Sequence, residues 1–409
     1  MPSLQVKLGK LQLENPIIIS SGHITRTGEN IRAADRHGAG AVVIKTSLLE
    51  EEYSQVVKPY KPGKFPDVRA GFAAAGDGLL AMCGLAPDPV ETWVEWIRKN
   101  KKNLKTPLIA SITAISLDGY VKGAQMFEES GADGLEIALS CPISYLEPYD
   151  YSGNVGVYAH KVEEICTAVR KAVRFPLGVK LQLIPLLSDT SPLKILQKVG
   201  VDYAIFSGGI PGGAPGIDLE KLEPEIPCSL GVSGSHVAKH IMFSGLLKAS
   251  DMKDELPISA SGGCQTWEDI VETILYGATA VSIHTLFMRK GFGIIKSLKE
   301  GIEGFMKEKG FETIDEMRGI ICSKLLSEGE CFKVYEPSRG KLAVSFDKEK
   351  CNGCGMCEET CFSYAIKMER NIPEIDQEKC EACRVCVCNC PEGALILDST
   401  PVLRKMARQ

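Results

Sequence analysis

At 409 residues, with 44% hydrophobic and 24% charged residues, the chain has room for one large globular domain and a smaller one. A formal net charge of −5 argues against nucleic acid as a partner. No apolar stretch is long enough to cross a bilayer, and the N-terminus lacks the basic region and apolar run of a signal peptide, so neither a membrane role nor secretion is expected.

The segment from Leu4 to Leu13 alternates around Gly9-Lys10 and predicts a hairpin able to close a barrel floor. Short apolar runs then alternate with helical patterns. The expected strands are Pro16–Ser20, Ala41–Lys45, Leu108–Thr113, Gly134–Leu139, Leu177–Leu181, Tyr203–Phe206, Ile258–Ser261 and Val281–His284. Continuous apolar runs are the signature of parallel strands buried on both faces. Eight strand–helix units predict a (β/α)8 barrel of the TIM type. An open doubly wound sheet is the alternative, weakened because no Gly-x-Gly-x-x-Gly follows the first strand. Three connections are unusually long, 50–87, 140–156 and 208–234. All follow strands and so belong to the C-terminal face, where barrel active sites form. The expected domains are a barrel over 1–310, a helical extension and linker over 311–340, and a ferredoxin-like α+β domain over 341–400.

Several residues stand out on the expected barrel mouth. Lys45 ends the second strand and Lys180 sits in the fifth, both in apolar surroundings. A lysine pointing inward needs an anionic partner, because a bare buried ammonium is costly. Cys141 follows the fourth strand, where a thiol can exchange a proton, although most free cysteines are small buried hydrophobes. Ser261-Gly262-Gly263 ends the seventh strand and His284-Thr285 the eighth, the usual place for phosphate in a barrel. Backbone N–H groups at the glycine pair and a helix start at Trp267 suit an anion.

The tail carries the strongest signal. Nine of the 16 cysteines lie between Cys351 and Cys390, a usage that fits a reducing, anaerobic cytoplasm better than disulfides. Eight of them form Cys351-x2-Cys354-x2-Cys357-x3-Cys361 and Cys380-x2-Cys383-x2-Cys386-x3-Cys390-Pro391. Zinc ribbons use isolated Cys-x2-Cys hooks, whereas this spacing predicts two [4Fe–4S] clusters, with the fourth cysteine of each run crossing to the other cluster. Phe362 stands where the second run has Pro391, and Cys388 is extra.

The barrel resembles the dihydroorotate dehydrogenase family of FMN enzymes, and the whole chain is most similar to the iron–sulfur/FMN subunits of bacterial dihydropyrimidine dehydrogenases. The stretches that carry this are Asn15-Pro16, Lys45-Thr46, Gly131-Ala132-Asp133-Gly134-Leu135-Glu136, Ser140-Cys141-Pro142, Val179-Lys180-Leu181, Gly231-Val232-Ser233-Gly234, Ser261-Gly262-Gly263 and Gly291-Phe292, together with the tail. The resemblance implies an oxidoreductase acting on a C–C single or double bond. It implies that Cys141 moves the proton, that Lys180 faces flavin N1, and that Lys45 and Thr46 face its other edge. Gly262, Gly263, His284 and Thr285 would cradle the phosphate. Ser21, Ser207, Gly208, Gly234 and Ser261 complete the implied cofactor contacts. It further implies an FAD/NAD(P)H reductase subunit or a ferredoxin as electron partner, and an oligomer. Relatives that handle pyrimidines grip the ring with asparagines where this chain has Ser116, Ala138 and Ser207. That departure keeps two alternatives open, a reductase of non-pyrimidine enoyl-type substrates and a non-catalytic electron-transfer subunit.

Overall fold

The computed structural model describes residues 2–52, 72–75, 78–82, 88–140, 151, 155–213, 216–224, 231–325 and 343–398. The chain divides into two compact units, 1–323 and 324–409.

In the first unit eight parallel strands close on themselves: β1 Ile17–Ile19, β2 Ala41–Val43, β3 Leu108–Ile112, β4 Gly134–Ala138, β5 Leu177–Gln182, β6 Tyr203–Ser207, β7 Ile258–Ser261 and β8 Ala280–Ile283. Each pairs with the next, and β8 returns to β1 through Val281 opposite Ile17. This is the (β/α)8 barrel that the apolar runs predict. Nearly every strand residue is buried; the partly exposed ones are Lys180, Ser207 and Ser261, toward the C-terminal ends. The intervening helices are fixed by local chemistry. The Ser116 hydroxyl accepts from Gly119 N–H and opens helix Leu117–Ser130, while Thr266 and Asp269 form a capping box that opens Trp267–Leu275.

The N-terminal hairpin pairs Val6–Leu8 with Leu11–Leu13 and buries Val6, Leu8, Leu11 and Leu13. Lys10 reaches Asp202, just before β6, at 2.9 Å, so the hairpin covers the N-terminal end of the barrel, as expected of a floor. At the opposite end the long connections are not independent loops. Strands Phe72–Ala75, Gly78–Met82, Gly231–Gly234 and Ile210–Gly213 join in one four-stranded antiparallel sheet, so the connections after β2 and β6 are hydrogen-bonded to each other.

The second unit repeats itself. Ala343–Phe346 pairs with Leu395–Asp398, and Ile366–Glu369 with Ile372–Ile375. The registers agree after a shift of 29: Phe346 faces Leu395 as Ile375 faces Ile366. Asp347 N–H donates to the Ala394 carbonyl and Asp376 N–H to the Ala365 carbonyl. The two halves are thus related by a pseudo-twofold. Its buried apolar cluster is small, Val344, Cys357, Ile366, Cys386 and Leu395.

Candidate functional site

Parallel register brings the polar residues of the barrel together at its C-terminal mouth. Ser111 on β3 lies opposite Glu136 on β4, and its hydroxyl donates to Glu136 Oε1 at 3.2 Å. Lys180 on β5 donates to the same oxygen at 3.4 Å. On the other side Ser111 Oγ is 3.0 Å from Thr46 Oγ1, which is 3.0 Å from Ser21 Oγ. Thr46 N–H also donates to Ser21 Oγ. One hydrogen-bonded line therefore runs Ser21–Thr46–Ser111–Glu136–Lys180 across the ends of five adjacent strands. Glu136 is 2% exposed, and its carboxylate supplies the anion that the partly buried Lys180 requires. Lys45 is buried as well, and its charge reaches both His23 and His284.

His284 follows β8. The residue is partly buried, but its Nε2 is fully buried and has no hydrogen-bond partner among the described residues. Burial, then the charges of Lys180 and Lys45 together with His23, lower its pKa to about 3. Burial, Lys45 and Arg26 lower that of His23 to about 4. Both imidazoles are neutral near pH 7.

Ser207, Gly208, Ser261, Gly262 and Gly263 gather at the ends of β6 and β7. Ser207 pairs with Ser261, and the two backbones approach so closely that a Cβ on Gly208 would stand 1.8 Å from the Ser261 carbonyl oxygen. Gly263 packs on the first turn of helix Val237–Lys248, against Lys239 N and His236 O. Gly234 pairs with Leu79 in the four-stranded sheet, and Thr285 begins the short helix Thr285–Lys290. The helix at Trp267 adds less than its sequence suggests. The Asp269 carboxylate already accepts from Gln265 and Thr266 N–H, and on its other oxygen from Lys239 and His236. A fixed side-chain anion holds that helix terminus.

Cys141 lies outside the described residues. Its neighbour Ser140 is buried, and the Ser140 carbonyl accepts from Gln182 Nε2 at 2.8 Å. Buried Gln182 thus ties the end of β5 to the loop that carries the thiol. Of the positions where the resemblance leads one to expect asparagines, Ala138 pairs with Lys180 in the sheet, and Ser116 is occupied. Its hydroxyl caps a helix and donates to Glu52, which is 5% exposed and also accepts from Ile115 N–H. Burial raises the Glu52 pKa against those hydrogen bonds.

In the second unit, Cys351, Cys354, Cys357 and Cys390 line one small cavity. The Cys386 thiol lies in the field of Cys380, Cys383 and Cys361, and burial pushes it up to about 11. The fourth cysteine of each run therefore sits with the other run. Ala365 N–H donates to Cys361 Sγ and Ala394 N–H to Cys390 Sγ, both at 3.3 Å. Burial alone would raise these two thiols, but hydrogen bonds, the Ser363 hydroxyl and backbone amides at Cys361 and backbone amides at Cys390, hold both below the usual range. Among the described residues no three His, Cys, Asp or Glu side chains converge tightly enough for a single metal ion. No described helix is long and apolar enough to cross a membrane.

The sequence singled out Lys45 and Lys180 but assigned no role to Glu136, Ser111, Gln182 or Glu52. The available signal was a charge inside a buried strand, Glu136 in Gly134–Ala138.

Residues 3–306 match the family model described as dihydroorotate dehydrogenase, and residues 344–367 match that of the 4Fe–4S binding domain. The chain is 29% identical to the catalytic subunit of dihydroorotate dehydrogenase B (NAD(+)) of Pyrococcus abyssi, over 78% of this chain and 98% of that one. It is 25% identical to the NAD-dependent dihydropyrimidine dehydrogenase subunit PreA of Escherichia coli, over 88% and 85%. It is 29% identical to the chloroplastic dihydropyrimidine dehydrogenase (NADP(+)) of Arabidopsis thaliana, over 88% and 87%. The chain belongs to the dihydroorotate dehydrogenase family and carries a 4Fe–4S binding domain after the barrel.

Proposed function

We propose that this member of the dihydroorotate dehydrogenase family is an FMN and iron–sulfur oxidoreductase that adds or removes two hydrogens across an activated carbon–carbon bond. The observation that carries the reading is the meeting of Lys45, Lys180 and a buried, unpartnered His284 Nε2 at one mouth of a closed barrel. An orphaned buried nitrogen fits a polar cofactor, and glycines at the ends of β6 and β7 offer backbone rather than side chains to its phosphate end.

Ser21, Lys45, Thr46 and Lys180 would hold the ring system, and Ser207, Gly208, Gly234, Ser261, Gly262, Gly263, His284 and Thr285 the ribityl phosphate. Bound there, FMN supplies hydride transfer to or from a substrate carbon. The chain does the rest. Lys180, held by Glu136, presents a fixed positive charge. Cys141 gives or takes the proton on the neighbouring carbon, and Gln182 anchors its loop one residue away. Neutral His23 and His284 are hydrogen-bonding groups rather than counter-charges at neutral pH.

The two four-cysteine groups would hold two [4Fe–4S] clusters, Cys351, Cys354, Cys357 and Cys390 one, and Cys380, Cys383, Cys386 and Cys361 the other. The crossed grouping around a cavity supports clusters rather than zinc. Held there, clusters would supply single-electron transfer to or from a reductase subunit or a ferredoxin. Ser116 is engaged by Glu52 and the Ala138 side chain has no polar atom, which favours a substrate other than a pyrimidine, such as an unsaturated acid.

Purified without oxygen, the protein should be yellow-brown and release FMN on denaturation. Reduced flavin should be reoxidised by at least one member of a panel of uracil, thymine, orotate and unsaturated acids. Cys141→Ala should stop that reoxidation while leaving reduction of flavin and clusters intact. A colourless folded preparation would refute the reading, and full turnover by the Cys141→Ala chain would remove the thiol from it.

A further inference from the structure

The halves of the second unit match in most of what surrounds their thiols. Cys351 is the mate of Cys380, Cys354 of Cys383, Cys357 of Cys386 and Cys361 of Cys390, and the two members of each pair are buried to the same degree. The backbone donors match as well: Ala365 N–H to Cys361 Sγ and Ala394 N–H to Cys390 Sγ, both at 3.3 Å. Two positions beyond the fourth cysteine the match fails, with Ser363 in one half and Glu392 in the other. The Ser363 hydroxyl lies 3.5 Å from Cys361 Sγ. A ligating thiolate can only accept, so the hydroxyl is the donor. Glu392 as a carboxylate has no hydrogen to offer a sulfur. Asn352 Nδ2 donates to it at 3.0 Å, and Asn352 Oδ1 accepts from Cys354 N–H at 3.1 Å. Glu392 is thereby held against the loop that carries Cys354, and it lines the cavity of Cys351, Cys354, Cys357 and Cys390.

We propose that Ser363 and Glu392 set the two four-cysteine sites at unequal reduction potentials, so that the first electron to enter rests at Cys380, Cys383, Cys386 and Cys361. The proposal rests on the two-cluster reading above and adds an order of filling to it. With one cluster type at both sites, potential follows hydrogen bonds to sulfur, local charge and exposure. Exposure and the backbone donors cancel between the halves. A hydroxyl donor on a ligand sulfur stabilises the reduced, more negative state and raises the potential there. A carboxylate fixed beside the other site opposes added negative charge and lowers the potential there. The two effects act in the same direction. Exposed charges nearby pull both ways. Glu358 and Glu359 reinforce Glu392, Arg370 opposes it from beside Asn371 at Gly353, and Glu381 and Arg384 oppose each other. Water screens all of these, so the ordering falls to the two side chains hydrogen-bonded at the ligand loops. The step is electron exchange alone. One site is oxidised by one electron and the other reduced by one, with no bond or proton changed.

The test uses the full-length holoprotein, reduced stepwise without oxygen by europium(II) and followed by low-temperature EPR, which separates reduced clusters from a flavin radical. The wild type should fill in two one-electron steps. Ser363→Ala should lower the upper step and leave the lower one in place. Glu392→Ser, which installs the residue of the other half, should raise the lower step and leave the upper one. Each should change the equilibrium constant for exchange between the sites about tenfold, ~59 mV for one electron. Ser363→Thr, which keeps the hydroxyl, should retain the wild-type upper step. Two clusters filling together in the wild type overturn the proposal. So does either variant that moves both steps equally or moves neither. Should one variant lose iron, the other variant and the wild-type separation still decide. Wild-type chain that holds iron for fewer than two clusters, measured before any titration, would remove the underlying reading instead.

Discussion

Glu136 is the residue on which the barrel mouth turns. Its carboxylate accepts from both Ser111 and Lys180, and it is almost inaccessible to water. A buried charge pair depends on both members, so the variants Glu136→Gln and Lys180→Gln should not add. A double-mutant cycle on denaturant unfolding should give a coupling of roughly 1–3 kcal/mol. Additive losses would mean that the 3.4 Å contact contributes nothing. A second prediction concerns His284. An unfolded imidazole titrates near 6.5, whereas the native one is lowered to about 3, by burial first and then by His23, Lys180 and Lys45. The native state therefore holds fewer protons, so stability is full above about pH 6.5 and declines as pH falls through 6.5 toward 3. His23, lowered to about 4, contributes with the same sign. The unfolding midpoint of the flavin-free protein should drop between pH 7.5 and 4.5, and His284→Asn should flatten that slope. Equal slopes in both proteins would contradict the assignment. At this scale the sequence was half legible. A lysine in an apolar strand announces that it needs an anion, but which anion depends on lateral register, and nothing in Gly178-Val179-Lys180-Leu181 names Glu136.

Elements were more legible than their contacts. All eight barrel strands stand out as apolar runs because a strand buried on both faces admits little else. The long connections did not announce that two of them pair, since pairing of Gly78–Met82 with Gly231–Gly234 joins segments far apart in sequence. The repeat in the second unit was legible as cysteine spacing, but its backbone cost was not. Gly353 and Gly355 lie at φ +72° and +78°, and their mates Ala382 and Arg384 hold the same left-handed backbone at +53° and +68°. Each non-glycine residue there costs ~1–2 kcal/mol. The second half is thus held in a strained loop that ligation must help to close. Ala382→Gly and Arg384→Gly should each stabilise the unit by about 1 kcal/mol, offset in part by the freer unfolded chain. Iron release to a chelator from the Cys380, Cys383, Cys386 and Cys361 site should slow accordingly. Faster release in both variants would show that the strain is not relieved by glycine.

The whole molecule joins two units that fold by different means. The barrel encloses a large continuous core running from Leu4 to Met317. The cysteine-rich unit buries five residues in its apolar cluster, two of them proposed cluster ligands. A core that small does not offset the conformational entropy of ordering the chain, so the inorganic clusters must supply much of the folding free energy. The two halves should therefore separate under iron removal. Treating the holoprotein anaerobically with a strong chelator should abolish the thermal transition of the cysteine-rich unit and the brown absorbance. The barrel transition and the yellow flavin should persist, with a midpoint moved by only a few degrees. Calorimetry followed by flavin release on heating reads both in one sample. Collapse of both transitions together would show that the barrel depends on the clusters, and that the small core of the second unit is not where the metal does its structural work.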